Sequence, residues 1–163
     1  GDASLNAVNT PAVTWLLERG LDLVVPGRDL GTDGQIELCG SIDPQRLAIP
    51  VVERPPLFHT VHCLFAAHLA DSPDNHHCGQ ACRGRVLSLR DDQGTANAVV
   101  GEMPCRNTVF GESRDRIDTV PALHAAGLRR FVVELVDEPP QVARLLVQRA
   151  VDARPRAAGG QSS

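Results

Sequence analysis

The chain has 163 residues, with 16 arginines and no lysine against 20 acidic residues, and is 42% apolar but only 3% aromatic. That length fits one globular domain, and a net charge of −4 excludes an overall basic, nucleic-acid-seeking composition while leaving local arginine clusters open. The longest apolar run, Val61 to Ala70, is broken by His62 and His68 and falls short of the roughly 20 residues a bilayer span needs, so no membrane partner is expected.

In chain order, Ala3, Leu5 and Ala7 alternate with polar neighbours, the pattern of a short strand. Asn9-Thr10-Pro11 then supplies a helix start ahead of Val13, Leu16 and Leu17, and Gly20 sits where that helix stops. Leu21 to Pro26 and Leu47 to Val52 read as buried strands, separated by a helical piece around Ile36 to Leu38 that Asp33 introduces. The pattern returns after residue 112. Asp118 is expected to cap a helix carrying Val120, Leu123 and Ala126, Gly127 to end it, and Leu128 to Val136 to form a strand. Pro139-Pro140 opens a last helix, with Val142, Leu145 and Leu146 on its apolar face and Arg144 and Arg149 in water, and from Arg154 onward the composition predicts a disordered tail.

Alternating strands and helices with short connections are the rhythm of a parallel sheet, and about four such strands make half of a (β/α) TIM-type barrel, whose usual length is about 250 residues. The expected organisation is βα units of a barrel half over 1–53, a cysteine-rich insert over 54–111, a final βα unit over 112–152 and a tail over 153–163. A half-barrel leaves open sheet edges and an apolar inner face, which predicts an amino-terminal half, upstream or on a separate chain. The sole methionine, Met103, agrees with a fragment or a processed chain.

The insert holds four of the five cysteines and five of the six histidines, and its Arg85 to Asp91 and Thr95 to Met103 segments, around Asp92-Gln93-Gly94, read as a β-hairpin. An odd cysteine count with no secretory signal argues for free, metal-bound or catalytic thiols in a reducing compartment, so a cytoplasmic location is expected. Cys78 and Cys82 are separated by three residues, so a turn lets both thiolates converge, and Cys63 and Cys105 can close the site from flanking segments. Soft thiolates suit an iron–sulfur cluster or zinc. With only one close pair, the spacing leans towards a cluster over zinc, buried inert thiols being the remaining reading. Cys39, beside Leu38 on the second helix, reads as a packing residue.

His59 and His62 could ligate metal, transfer protons, hold an anion, or simply support the site through hydrogen bonds. His76 and His77 fall in a polar loop, and His68 and His124 read as surface residues of helices. Arg83, Arg85, Arg90 and Arg106 lie in or just after the cysteine segments, where guanidinium forks suit carboxylate or phosphate, or stand solvated on a hairpin. Arg28 and Asp29 follow Val24-Val25-Pro26 at the carboxyl end of a strand, where barrel enzymes place functional groups. Glycine-rich nucleotide loops, a Gly-x-Ser-x-Gly elbow and a His-Glu-x-x-His helix are absent from the sequence.

At these residues the chain resembles the collagenase-like peptidase family U-32. Gly1 to Asn9 looks like that family's mid-barrel strand, Pro55-Pro56-Leu57-Phe58-His59 to Cys63 like its first cysteine segment, Cys78 to Arg83 like its Cys-x-x-x-Cys segment, and Cys105-Arg106-Asn107-Thr108-Val109-Phe110 like the last. Where many members have a further cysteine and an acidic residue near the first cysteine, this chain reads Leu64-Phe65-Ala66-Ala67 and Val61. The resemblance implies a barrel domain carrying a [4Fe–4S] cluster on Cys63, Cys78, Cys82 and Cys105, with Arg106 and Asn107 beside it. It also implies either peptidase activity or hydroxylation of RNA or an aromatic metabolite. Arg28, Asp29, His59 and His62 are the expected catalytic residues, with RNA or protein as the substrate. The rival readings are a literal peptidase with a structural metal such as zinc, and a non-catalytic metal-binding half that pairs with another chain.

Overall fold

The structure is a computed structural model describing residues 1–71, 77–102 and 105–155, so the expectations for His76 and for the tail from Arg156 onward lie outside the described residues. Its helices are α1 (Thr10–Glu18), α2 (Thr32–Ser41), α3 (Leu64–Leu69), α4 (Val120–Ala125) and α5 (Pro140–Asp152). Its strands are β1 (Ile49–Glu53), β2 (Pro56–Thr60), β3 (Leu87–Arg90), β4 (Ala96–Glu102), β5 (Arg106–Phe110), β6 (Arg114–Asp115) and β7 (Phe131–Val133). They form two compact units, Gly1–Glu53 with Arg114 onward, and Arg54–Ser113.

In the first unit, β1 is the centre of a three-stranded sheet ordered β6-β1-β7, antiparallel to β6 and parallel to β7. All five residues of β1 are buried: Ile49 to Val52 as an apolar run requires for a strand covered on both faces, and the charged Glu53 with them. Val13, Val24, Leu47, Val120, Leu123 and Leu128, all fully buried, complete the core around it. Helix α1 begins where Asn9 Oδ1 accepts the Ala12 N–H at 2.9 Å and ends before Gly20, whose φ of 98° suits a residue without Cβ.

The expected half-barrel is not formed. The architecture is mixed α/β with sheets of three and four strands, and the described residues contain no closed barrel. The Ala3–Asn9 alternation is no strand: the Asp2 carboxylate accepts the backbone N–H and the hydroxyl of Ser4 at 3.0 and 2.5 Å and folds Ala3–Leu5 into a 3-10 turn. Those two bonds, the hydroxyl's first, also hold the Asp2 carboxyl below its usual range. Leu21 to Pro26 contributes a single parallel bridge, Val24 to Leu47, because Pro26 has no N–H to extend a ladder. The Leu128–Val136 segment keeps only Phe131–Val133 as strand, and the strand on the other side of β1 runs antiparallel.

Helix termini differ in detail too. Asp118 caps nothing; it sits inside a 3-10 turn, Ile117–Thr119, that feeds α4 without a side-chain cap, and Asp115 accepts the Ile117 N–H instead, at 3.1 Å. On α5 the inward face is Leu146 and Ala150, with Ala153 just past its end, while Val142 and Leu145 stand exposed and Arg149 pairs with Asp115 at 2.6 Å.

The second unit is an antiparallel sheet ordered β2-β5-β4-β3. Asp91 shapes the β3–β4 turn by accepting the Gln93 and Thr95 N–H groups at 3.0 and 2.8 Å, and Gly94 turns the chain with φ 86°. The buried centre is small: Phe65 from α3, Val99 from β4 and Val109 from β5, with Cys63, Leu64, Ala81, Cys82 and Leu87 packed around it.

Candidate functional site

The four cysteines of the second unit line one cavity of about 580 Å³. Cys63 precedes α3 as its N-cap, its Sγ accepting the Ala66 N–H at 3.4 Å. Cys78 and Cys82 lie on a run of turns in which Gly79, Gln80 and Gly84 take left-handed φ values of 61°, 58° and 66°. Cys105, immediately before β5, is itself left-handed at φ 53°, a conformation that costs a non-glycine residue about 1 kcal/mol or more.

Fixed neighbours hold the cavity wall. Phe65, fully buried, lines it. Asn107, also buried, accepts the Leu64 N–H on Oδ1 at 2.6 Å and so ties the first turn of α3 to β5 beside Cys63. A Cβ at Gly101 would lie 2.7 Å from the Cys82 Cβ, so the close approach of Cys82 to β4 depends on glycine there. Arg83 and Arg106, exposed guanidiniums, stand at the same cavity.

Among the described residues, no group of three or more His, Cys, Asp or Glu side chains is gathered about a single point as one metal ion demands. Four thiolates on a tetrahedral zinc would stand about 3.8 Å apart, given a Zn–S bond of about 2.3 Å. Here the four thiols line the cavity wall without forming such a group. None of the five cysteines is in a disulfide. Burial pushes the Cys39 thiol pKa up, in keeping with a packing role.

The expected catalytic residues are not brought together. His59 is on β2, and its Nδ1 lies 2.8 Å from the Thr108 hydroxyl, which in turn donates to Glu102 at 3.0 Å. Because the hydroxyl proton goes to Glu102, the imidazole is the donor, which puts the His59 proton on Nδ1. Glu102 lines the cysteine cavity; His59 and His62 do not. The exposed His62 ring makes no hydrogen bond or ion pair among the described residues, and the same holds for the exposed Asp29 carboxylate.

Arg28 belongs to a cluster in the first unit that sequence reasoning largely missed. At the carboxyl end of β1, Glu53 is completely buried and accepts from Arg28 at 2.7 Å and from Arg116 at 2.5 Å, with Arg114 3.9 Å away. Arg28 also grips Glu134, just past β7, through two bonds of 2.8 and 3.0 Å. Burial alone would lower the Arg28 pKa, but the bonds to Glu134 and Glu53 outweigh it and hold it above its usual value. The network fits a structural clamp on the strand ends; one donor in it, Arg116 Nε, is buried without a partner among the described residues. The signal available in the sequence was an acid continuing the apolar run Leu47–Val52, but nothing in the pattern told that Glu53 stays inside.

Comparisons with protein-family models, with curated proteins and with solved structures find no match to this chain. Among the described residues no helix is long and apolar enough to cross a membrane.

Proposed function

We propose that Arg54–Ser113 is an iron–sulfur unit in which Cys63, Cys78, Cys82 and Cys105 hold a [4Fe–4S] cluster. The chain is then part of a cytoplasmic protein of the collagenase-like peptidase family U-32 that acts in hydroxylation-type modification of RNA or an aromatic metabolite. The observation that carries the metal reading is the convergence of four thiols from separate segments on one cavity. The thin apolar centre supports it, since a unit with three large buried side chains gains most from a cross-link through metal. Arg83 and Arg106 supply positive charge beside a group that four thiolates make anionic. When bound, the cluster would supply one-electron redox chemistry. The protein's part would be to hold it with the thiols, brace Cys63 through Asn107, and exclude water with Phe65.

The test is iron and zinc content with a visible spectrum on protein purified without oxygen, compared with a Cys78→Ala, Cys82→Ala double variant. About four irons per chain, lost in the variant, is the expected result. About one zinc per chain, or no metal at all, overturns the cluster. The reaction is tested separately by comparing the modified nucleosides and quinone precursors of cells with and without the protein. A hydroxylated species missing from the deleted strain supports it, and unchanged pools of both overturn it.

A further inference from the structure

Glu102 and Arg106 face each other as ladder partners on β4 and β5. Opposite charges so placed ordinarily pair, yet Glu102 bonds the Thr108 hydroxyl at 3.0 Å instead. Arg106, like Arg83, makes no side-chain hydrogen bond or ion pair among the described residues. The cause lies one strand further. Thr108 is 1% exposed, so its hydroxyl needs partners, and His59, its own ladder partner on β2, supplies a donor at 2.8 Å. With His59 donating, the hydroxyl proton is committed to Glu102, and the charge on that carboxylate strengthens the bond. Three strands thus fix one carboxylate and keep it off the guanidinium opposite.

Glu102 and both guanidiniums meet at the cysteine cavity, which they line together with Phe65. Its volume, about 580 Å³, is in the range that encloses a whole small molecule. Glu102 spends Oε1 on Thr108 and has Oε2 left without a partner among the described residues. The cavity therefore offers an acceptor of fixed position, two guanidinium forks and an aromatic wall. The acceptor calls for an N–H or O–H, the forks for carboxylate or phosphate, and the wall for a flat ring. Each guanidinium carries five N–H groups, so balancing the charge of four thiolates does not use up its donors.

We infer that Glu102 is the specificity-determining residue of this cavity. It accepts from an N–H or O–H on a planar ring whose carboxylate or phosphate Arg83 and Arg106 hold, and Thr108 and His59 are its positioning residues. The inference rests on the modification of RNA or an aromatic metabolite proposed above, and names what the two substrates share, an anionic group and a donor on the ring. Replacing that donor by a methyl group leaves the Glu102 carboxylate unpaired against apolar surface, the kind of mismatch that rejects an analogue most strongly.

The test is calorimetric binding of two matched probe pairs to the whole chain, purified without oxygen and with its iron content measured. The pairs are uridine 5′-monophosphate against its N3-methyl analogue, and 4-hydroxybenzoate against 4-methoxybenzoate. In at least one pair the donor-bearing probe is expected to bind about tenfold or more tighter than its methylated partner. Glu102→Ala should level that pair, Arg106→Ala weaken both members alike, Thr108→Val narrow the preference, and Thr108→Ser keep it. A loss of folded protein lowers binding of both probes equally and leaves their ratio unmoved. A preference within the nucleotide pair alone assigns the cavity to RNA, and one within the benzoate pair alone to a free aromatic acid. No binding of any probe at about 5 mM overturns the inference, and so does a preference that Glu102→Ala or Thr108→Val leaves intact. Iron content separates this outcome from the cluster: full iron without binding sinks the inference alone, whereas metal-free protein that still discriminates sinks the cluster alone.

Discussion

Gly101 and Cys82 approach so closely that a side chain at position 101 would begin 2.7 Å from the Cys82 Cβ and 3.4 Å from its Sγ. Gly101 is not left-handed, so the backbone does not require glycine; the space does. Gly101→Ala is therefore expected to push Cys82 off β4, costing about 1–3 kcal/mol in the second unit and lowering the iron retained after anaerobic purification. Hydrogen exchange across Leu64–Leu69 together with iron analysis reads both effects. Full metal content in this variant would mean that the Cys82 turn yields without harm.

Glu53 makes a different kind of prediction. Its removal leaves Arg28 and Arg116, each with 26% of its side chain exposed, facing each other without the carboxylate between them. Glu53→Ala should destabilise the first unit by about 3–5 kcal/mol, because the desolvation of the guanidiniums is no longer offset. Glu53→Gln keeps one acceptor and should cost less. Urea unfolding followed by Trp15, the sole tryptophan and a first-unit residue, measures both. Equal stability of Glu53→Ala and wild type would remove the clamp from the account of the fold.

Cys39 is expected to behave unlike the other four thiols. Its folded pKa is raised by burial, so folding favours the neutral thiol. The stability this contributes is whole below the unfolded value, near pH 8.5–9, and is lost as pH rises towards the higher folded value, where only the unfolded chain ionises at first. Alkylation with iodoacetamide at pH 8, mapped by mass spectrometry, should label metal-free Cys63, Cys78, Cys82 and Cys105 ahead of Cys39, and denaturant should erase the difference. Early labelling of Cys39 would contradict its burial.

The start of α1 was legible because Asn9, Thr10 and Pro11 act locally: a side-chain acceptor and a fixed φ need no distant partner. The Asp91–Thr95 turn was readable for the same reason. The half-barrel failed because strand pairing is decided between segments far apart in the chain. Nothing in Leu21–Pro26 says that only Val24 will find a partner, and nothing in Arg114-Asp115 says that it will lie antiparallel on β1. The cysteines could be singled out as residue types with few bland roles, but their supports could not. Asn107 was named beside the cysteines through the family resemblance, but its bond to Leu64 was not; Thr108 and Glu102 matter through a bond across strands, and Gly101 through the absence of an atom, neither of which spacing records.

Glu53 and Arg114 stand opposite each other in the β1–β6 ladder, so everything from Arg54 to Ser113 leaves and re-enters the first unit at a single rung. Closing that rung from a disordered chain carries the entropy of the whole intervening loop, which grows as the logarithm of its length. A loop whose ends are already held together by β2 pairing with β5 removes most of that cost before β1 meets β6. Pairing of β2 with β5 therefore lowers the chain-entropy cost of laying β6 on β1.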